Sequence, residues 1–158
     1  PAITVYLLQS FPTQINNRLK SAGIDTREVH GSAKLCENVY STGALGSGIK
    51  EQALLIQTGQ GIIVITGCAH PGIEEILITA RELLHDEEVL LAMGGFHLLS
   101  GNRSQLEEMA AAFKQLGVKH VGPCHCSGDL ARQIFEEHYE NHCIHIGVGK
   151  EIRRQDLD

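Results

Sequence analysis

Three times from residue 62 onward one plan recurs: a short apolar run, a loop holding glycine and a histidine, then a segment of helical periodicity. The runs are IIVIT, EVLLAM and KHVG, the loops are GCAHPG, GGFHLLSGN and PCHCSG, and the segments are IEEILITARELLH, SQLEEMAAAFKQLG and DLARQIFEEHYE. Repeated strand-loop-helix units commit a chain to an α/β architecture, because neighbouring parallel strands can be joined only by a crossover. If the strands are parallel, right-handed crossovers bring all three loops to the carboxyl edge of one sheet, where open α/β sheets bind ligands. His70, His97 and His125 are then expected to share one pocket although they are distant in sequence.

The rest of the chain supplies weaker signals. ITVYLL reads as a strand, followed by a helix whose Ile15, Leu19 and Ala22 share a face and whose Gly23 closes the C-terminus. From TREVHG to VYSTG, short β-rich pieces lie among turn residues, and GALGSGIKE predicts a mobile glycine-rich connection. EQALLIQT and GIIVIT flank a GQG turn, the pattern of a hairpin whose fully apolar second strand is central in a sheet. The third helix is expected to open with a capping box from Ser104 to Glu107 and to close on Gly117. Asp129 is a candidate cap for the fourth, whose apolar face is Leu130, Ile134 and Phe135, and CIHIGVG reads as a last strand.

At 158 residues, 42% of them apolar and 20% charged, the chain fits a single domain over residues 1–158. A formal charge of -6 without a cationic run gives no footprint for nucleic acid or an anionic membrane. No apolar stretch approaches a membrane span, and PAITVYLLQSFP lacks the pattern of a signal peptide, which together predict a cytoplasmic protein.

Five cysteines without a CxxC pair argue against a disulfide framework, a zinc ribbon or a thioredoxin-like centre. Cys36 and Cys143 are expected to be small buried residues. Nine histidines are more unusual, and imidazole beside glycine suits a metal site in which the backbone must turn sharply. In an extended Cys124-His125-Cys126 run, His125 would point away from both thiols, so all three cannot readily ligate one ion; with His125 as a ligand, the thiols would pack or support it. A structural zinc site built from Cys68, Cys124 and Cys126 is the competing arrangement. Each loop also precedes a helix N-terminus, a natural cradle for an anion, although neither GxGxxG nor a Walker A run is present.

Taken in order, IIVITGCAHPGI, MGGFHL and VGPCHCSG resemble the metallo-β-lactamase superfamily, within it the metal-dependent hydrolases akin to dihydropterin ribofuranosylaminobenzene phosphate synthases. The likeness runs from about NVYSTG to IGVG. It implies an αββα sandwich with a one- or two-metal centre at the sheet edge, His70 and His125 as metal ligands, and His97 as the catalytic histidine facing substrate. Cys68, Cys124 and Cys126 would touch substrate or steady the ligands. Thr66-Gly67-Cys68 stands where many members carry Thr-Gly-Asp, so either Cys68 or His70 could take the bridging position. The superfamily's His-x-His-x-Asp-His run occurs nowhere in the sequence.

The chain is therefore expected to be α/β, the C-terminal half of such a sandwich, with a mixed sheet and helices on one face. The other face would be an apolar surface needing cover from a missing N-terminal half or from a second copy in a homo-oligomer. The implied activity is metal-dependent hydrolysis of a small phosphoester or related substrate by metal-activated water. Zinc is the leading divalent metal, with manganese or iron as alternatives. Because a hydrolytic zinc site takes three protein ligands, the chain alone should hold metal weakly. The alternative function is a non-catalytic binding or assembly module with a degenerate metal site.

Overall fold

The computed structural model describes residues 3–158, among which no helix is long and apolar enough to cross a membrane. β1 (Thr4–Leu8), α1 (Thr13–Ser21) and β2 (Asp25–Val29) form a separate β-α-β unit with its two strands parallel. Gly23 follows α1 in the left-handed region, at φ 73°, as a helix-ending glycine should. No residue of α1 is buried, so the stripe carrying Ile15 and Leu19 stays uncovered.

Six strands make the main sheet, in the order β3 (Ala33–Cys36), β4 (Val39–Ser41), β5 (Leu54–Thr58), β6 (Gly61–Thr66), β7 (Val89–Gly95), β8 (His120–Cys124). β3 to β6 pair antiparallel, with β5 and β6 joined by the expected hairpin, while β6, β7 and β8 run parallel. The crossovers between parallel strands contain α2 (Ile73–Leu83) and α3 (Arg103–Gln115), and α4 (Asp129–Tyr139) follows β8. This is the mixed sheet read from the sequence, with the helices on one face.

Alternation along β6 shows why the helices choose that face. Ile62, Val64 and Thr66 are buried beneath them, whereas Ile63 and Ile65 point to the other side and are only half-buried. The fully apolar strand is central, as expected, but it is sealed on one face only. Under the helices, Phe96, Phe113 and Phe135 form a triangle with ring centroids 5.0 to 5.7 Å apart, flanked by Ile76, Leu106 and Ile134. Burying side chains of this size stabilises the fold by roughly 1.5–3 kcal/mol each.

The opposite face carries a smaller cluster. Ile62 pairs with Val89 but Ile63 with Leu91, so Leu90 is bulged, and Leu90 and Leu91 both join Ile144 and Leu157 there. CIHIGVG does not form the expected last strand. It makes one bridge, Val121 to Cys143, then crosses the sheet as a tail, with Ile146 seated where a Cβ on Gly122 would approach to 2.7 Å. Beyond the tail an apolar groove of about 460 Å³ stays open, lined by Ile56, Ile63, Ile65, Met93 and Ile152.

Several local readings shift. The capping box of α3 belongs to Asn102 and Gln105, not Ser104 and Glu107: Asn102 Oδ1 accepts from the Gln105 N–H and Gln105 Oε1 from the Asn102 N–H. An asparagine with a glutamine three residues on competes directly with a serine two residues later. Gly128, not Asp129, precedes α4, where Asp129 pairs with Arg132 instead. Ala131 and Tyr139 complete the buried stripe of α4 while Leu130 is exposed. Cys36, expected to be buried, is exposed at the end of edge strand β3.

Candidate functional site

All three histidine loops open at the carboxyl ends of β6, β7 and β8, along one rim of the sheet. The chain turns sharply to enter each of them. Ala69, His97 and His125 all hold positive φ, at 61°, 54° and 50°, a region that non-glycine residues seldom occupy and that concentrates at functional sites.

Close approach of the backbones sets the spacing of the rim. Gly95 ends β7, donating its N–H to the Gly67 carbonyl at 3.0 Å. A Cβ there would lie 2.4 Å from that oxygen and 2.8 Å from Cys126 Sγ, so only glycine fits. Ser127, fully buried, joins the neighbouring loops by accepting from the Phe96 N–H at 3.1 Å and donating to the Cys124 carbonyl at 2.7 Å.

The rings of His70 and His97 lie 4.5 Å apart between centroids. His125 reaches the same place through Cys68: its Nε2 is 3.2 Å from Cys68 Sγ. Two groups of donor atoms result, Glu51-Cys68-His70 and Cys68-His125-Cys126, each with its atoms within 4.8 Å of one another. Cys68 is common to both, so the structure brings His70, His97, His125, Cys68 and Cys126 together.

The extended Cys-His-Cys geometry does not occur. Cys124 ends β8, and His125 to Ser127 wind into a single 3-10 turn. That turn places Cys126 on the side of Cys68 and His125, while Cys124 lies in neither donor group. A cluster of Cys68, Cys124 and Cys126 is therefore not assembled. Burial raises the Cys124 thiol above its usual range, and it raises Cys68 as well, helped by the adjacent Cys126 thiol. Both are neutral thiols in the metal-free chain, which disfavours Cys68 as a free nucleophile.

Glu51 was not singled out by the sequence. It follows the glycine-rich segment, bridges back to Leu45, and sets its carboxylate beside His70: Oε1 lies 2.5 Å from Nδ1 and Oε2 accepts from the His70 N–H at 3.1 Å. The only signal was a lone carboxylate at the end of a glycine-rich loop, just before a strand. The larger cavities, the apolar groove and a recess of about 650 Å³ beside His120 and His142, lie away from the three histidines, whose site is an open rim.

The architecture is that of a metallo-β-lactamase-like α/β fold. Tm1679, a metal-dependent hydrolase of the beta-lactamase superfamily, superposes with a TM-score of 0.71 at 24% identity, over 90% of this chain and 68% of that one. The isothiocyanate hydrolase from Delia radicum gut bacteria superposes with a TM-score of 0.56 at 12% identity, over 94% and 66%. By sequence, the chain is 32% identical over 103 residues to the 7,8-dihydropterin-6-methyl-4-(beta-D-ribofuranosyl)-aminobenzene-5'-phosphate synthase of Methanocaldococcus jannaschii, covering 65% of this chain and 35% of that protein. An uncharacterized protein of the same organism is 26% identical over 141 residues, 89% of this chain and 52% of that protein. The chain thus spans about a third and about half of these curated relatives. No protein-family model matches it.

Proposed function

We propose that this chain carries part of the active site of a cytoplasmic metal-dependent hydrolase acting on a small phosphoester or related substrate. The observation that supports this most is the convergence of His70, His97 and His125 around Cys68 at one sheet rim. The donor set suits zinc: imidazole nitrogen, thiol sulfur and carboxylate oxygen are its usual ligands, and tetrahedral zinc spaces N and S ligands about 3.5 Å apart. The 3.2 Å between His125 and Cys68 is close to that spacing. His70 and His125 would hold the metal, each within a donor group that includes Cys68. A divalent metal bound there supplies Lewis-acid polarisation of the scissile group and activation of water.

The remaining steps fall to the chain's own side chains. Glu51 fixes the His70 ring, since a carboxylate facing Nδ1 requires the proton on that nitrogen and leaves the Nε2 lone pair free. His97 stands beside His70 and, among the described residues, has no carboxylate anchor of that kind, which suits it to orient substrate or pass a proton to the leaving group. The N-terminus of α2 opens next to His70, and its free N–H groups favour an anionic substrate, against which Glu74 and Glu75 in its first turn act.

The half-buried sheet face bearing Ile63, Ile65 and Met93 is proposed to be covered in the working protein by further chain or by a second copy. The experiment is metal analysis after purification with zinc or manganese supplied, coupled to hydrolysis of bis-p-nitrophenyl phosphate. Metal that is retained, and lost in His70→Ala and His125→Ala, supports the assignment. A chain that takes up neither metal is a binding or assembly module instead. Stoichiometric metal with hydrolysis unchanged in His125→Ala would overturn the roles.

A further inference from the structure

The thiols of Cys68 and Cys126 form a second chemical unit within the rim. Both are half-buried rather than sealed, and their sulfur atoms lie within 4.8 Å of each other. Cys126 Sγ is 3.4 Å from the Cys68 carbonyl, and each residue sits on a tight turn beside Gly95, which has no side chain to separate them. His125 Nε2 lies 3.2 Å from Cys68 Sγ, on the side of the same pair. Cys124, adjacent in sequence, lies outside this group, and Cys36 and Cys143 belong to strand β3 and to the tail. Sulfur atoms this close on neighbouring loops are the starting arrangement for a disulfide, which spans Cα atoms up to about 7 Å apart.

We propose that Cys68 and Cys126 are a site of reversible disulfide formation by hydrogen peroxide, and that the disulfide removes metal affinity from the rim. One of the two thiols, on losing its proton to solvent, attacks one peroxide oxygen, breaking the O–O bond to give a sulfenic acid and, with a proton, water. The other thiol then attacks the sulfenic sulfur, forming the S–S bond and releasing the second water. Two thiols are oxidised and one peroxide is reduced. The disulfide step stands on the thiol geometry alone; its effect on metal rests on the metal site proposed above. With the bond formed, Cys68 can no longer donate a thiolate, and His125 loses the sulfur it faces.

The test treats the reduced, metal-free chain with equimolar hydrogen peroxide, followed by peptide mapping without reductant and by zinc titration. A two-hydrogen mass loss confined to a Cys68–Cys126 cross-linked peptide, reversed by dithiothreitol, is expected. It should be absent in Cys126→Ser and suppressed by prior loading with zinc. Zinc affinity should fall about tenfold or more on oxidation, the scale of losing a group at a metal site, and recover on reduction. Sulfinic acid at Cys68 without a cross-link, or a cross-link to Cys124, overturns the disulfide. A Cys68–Cys126 cross-link that leaves zinc affinity unchanged overturns the gate. If the reduced chain binds no zinc while the cross-link forms, the metal-site reading fails and the disulfide stands.

Discussion

Glu51 grips His70 at two points, its Oε1 2.5 Å from the ring Nδ1 and its Oε2 3.1 Å from the backbone nitrogen of the same residue. The two side chains are only 19% and 26% exposed, so water competes weakly for these contacts. The pair therefore fixes where the ring points and which of its nitrogens carries the proton.

Replacing Glu51 by glutamine keeps the shape but lets the amide donate to Nδ1, which moves the ring proton to Nε2. Zinc affinity is expected to fall about 10- to 100-fold, the usual effect of losing a carboxylate that orients a ligating histidine. Competition against a chromophoric chelator measures it, with His70→Ala as the reference for complete loss of that ligand. Affinity equal to the unaltered chain in Glu51→Gln would mean that His70 does not ligate through Nε2.

The strand-loop-helix repeat was legible because it is local: the apolar runs, glycines and helical periodicity lie in consecutive residues, and crossover handedness then dictates the rim. What the sequence concealed depends on contacts between segments. Glu51 reaches His70 only because β5 and β6 pair antiparallel, which returns the glycine-rich loop to the sheet rim. Cys126 joins Cys68 because Ser127, buried between β7 and β8, bends the chain into a 3-10 turn that no pattern in PCHCSG announces. The tail failed as a strand for a similar reason. Gly122 offers Ile146 a flat seat on the sheet face, and packing there displaces edge pairing.

His120 makes stability depend on acidity at the end of the sheet away from the site. Burial first, and the ring of His142 second, hold its imidazole below the ordinary histidine range, Lys119 adding slightly and the Leu157 carbonyl opposing. The unfolded chain then binds the proton more readily than the folded one. Stability is therefore fully present above the unfolded value, about pH 6.5, and declines as pH falls through the lowered folded value. Thermal melts at fixed ionic strength should be level from neutral to mildly alkaline pH and drop on the acid side, with a shallower drop in His142→Gln. An acid limb of equal slope in that variant removes His142 as a contributor.

The aromatic triangle supports the helices that present the rim. Phe113 is fully buried between Phe96 and Phe135, and truncating such a ring costs about 3–5 kcal/mol through lost contacts and the cavity left behind. Urea unfolding of Phe113→Ala should show a midpoint lowered accordingly. Ile78→Ala, on the exposed side of α2 at 45% accessibility, should stay within about 0.5 kcal/mol of the unaltered chain. Equal effects at the two positions would contradict the packing described.

The sheet face away from the helices should be adhesive. Ile56, Ile63, Ile65 and Met93 line an open groove that the tail covers only at its edge, through Ile152 and Leu157, and contiguous apolar surface of this kind associates in water. Tm1679, which shares this fold, is longer, with this chain covering 68% of it, so in a protein of that size further chain is available as cover. Without such cover, the chain should self-associate, and its apparent mass in sedimentation should rise with concentration. Ile65→Lys places a charge in the middle of the groove, half-exposed in the free chain but buried by any partner, and should return the protein to a monomer with little loss of melting temperature. If the unaltered chain sediments as a monomer throughout and binds no hydrophobic dye, the tail alone satisfies that face.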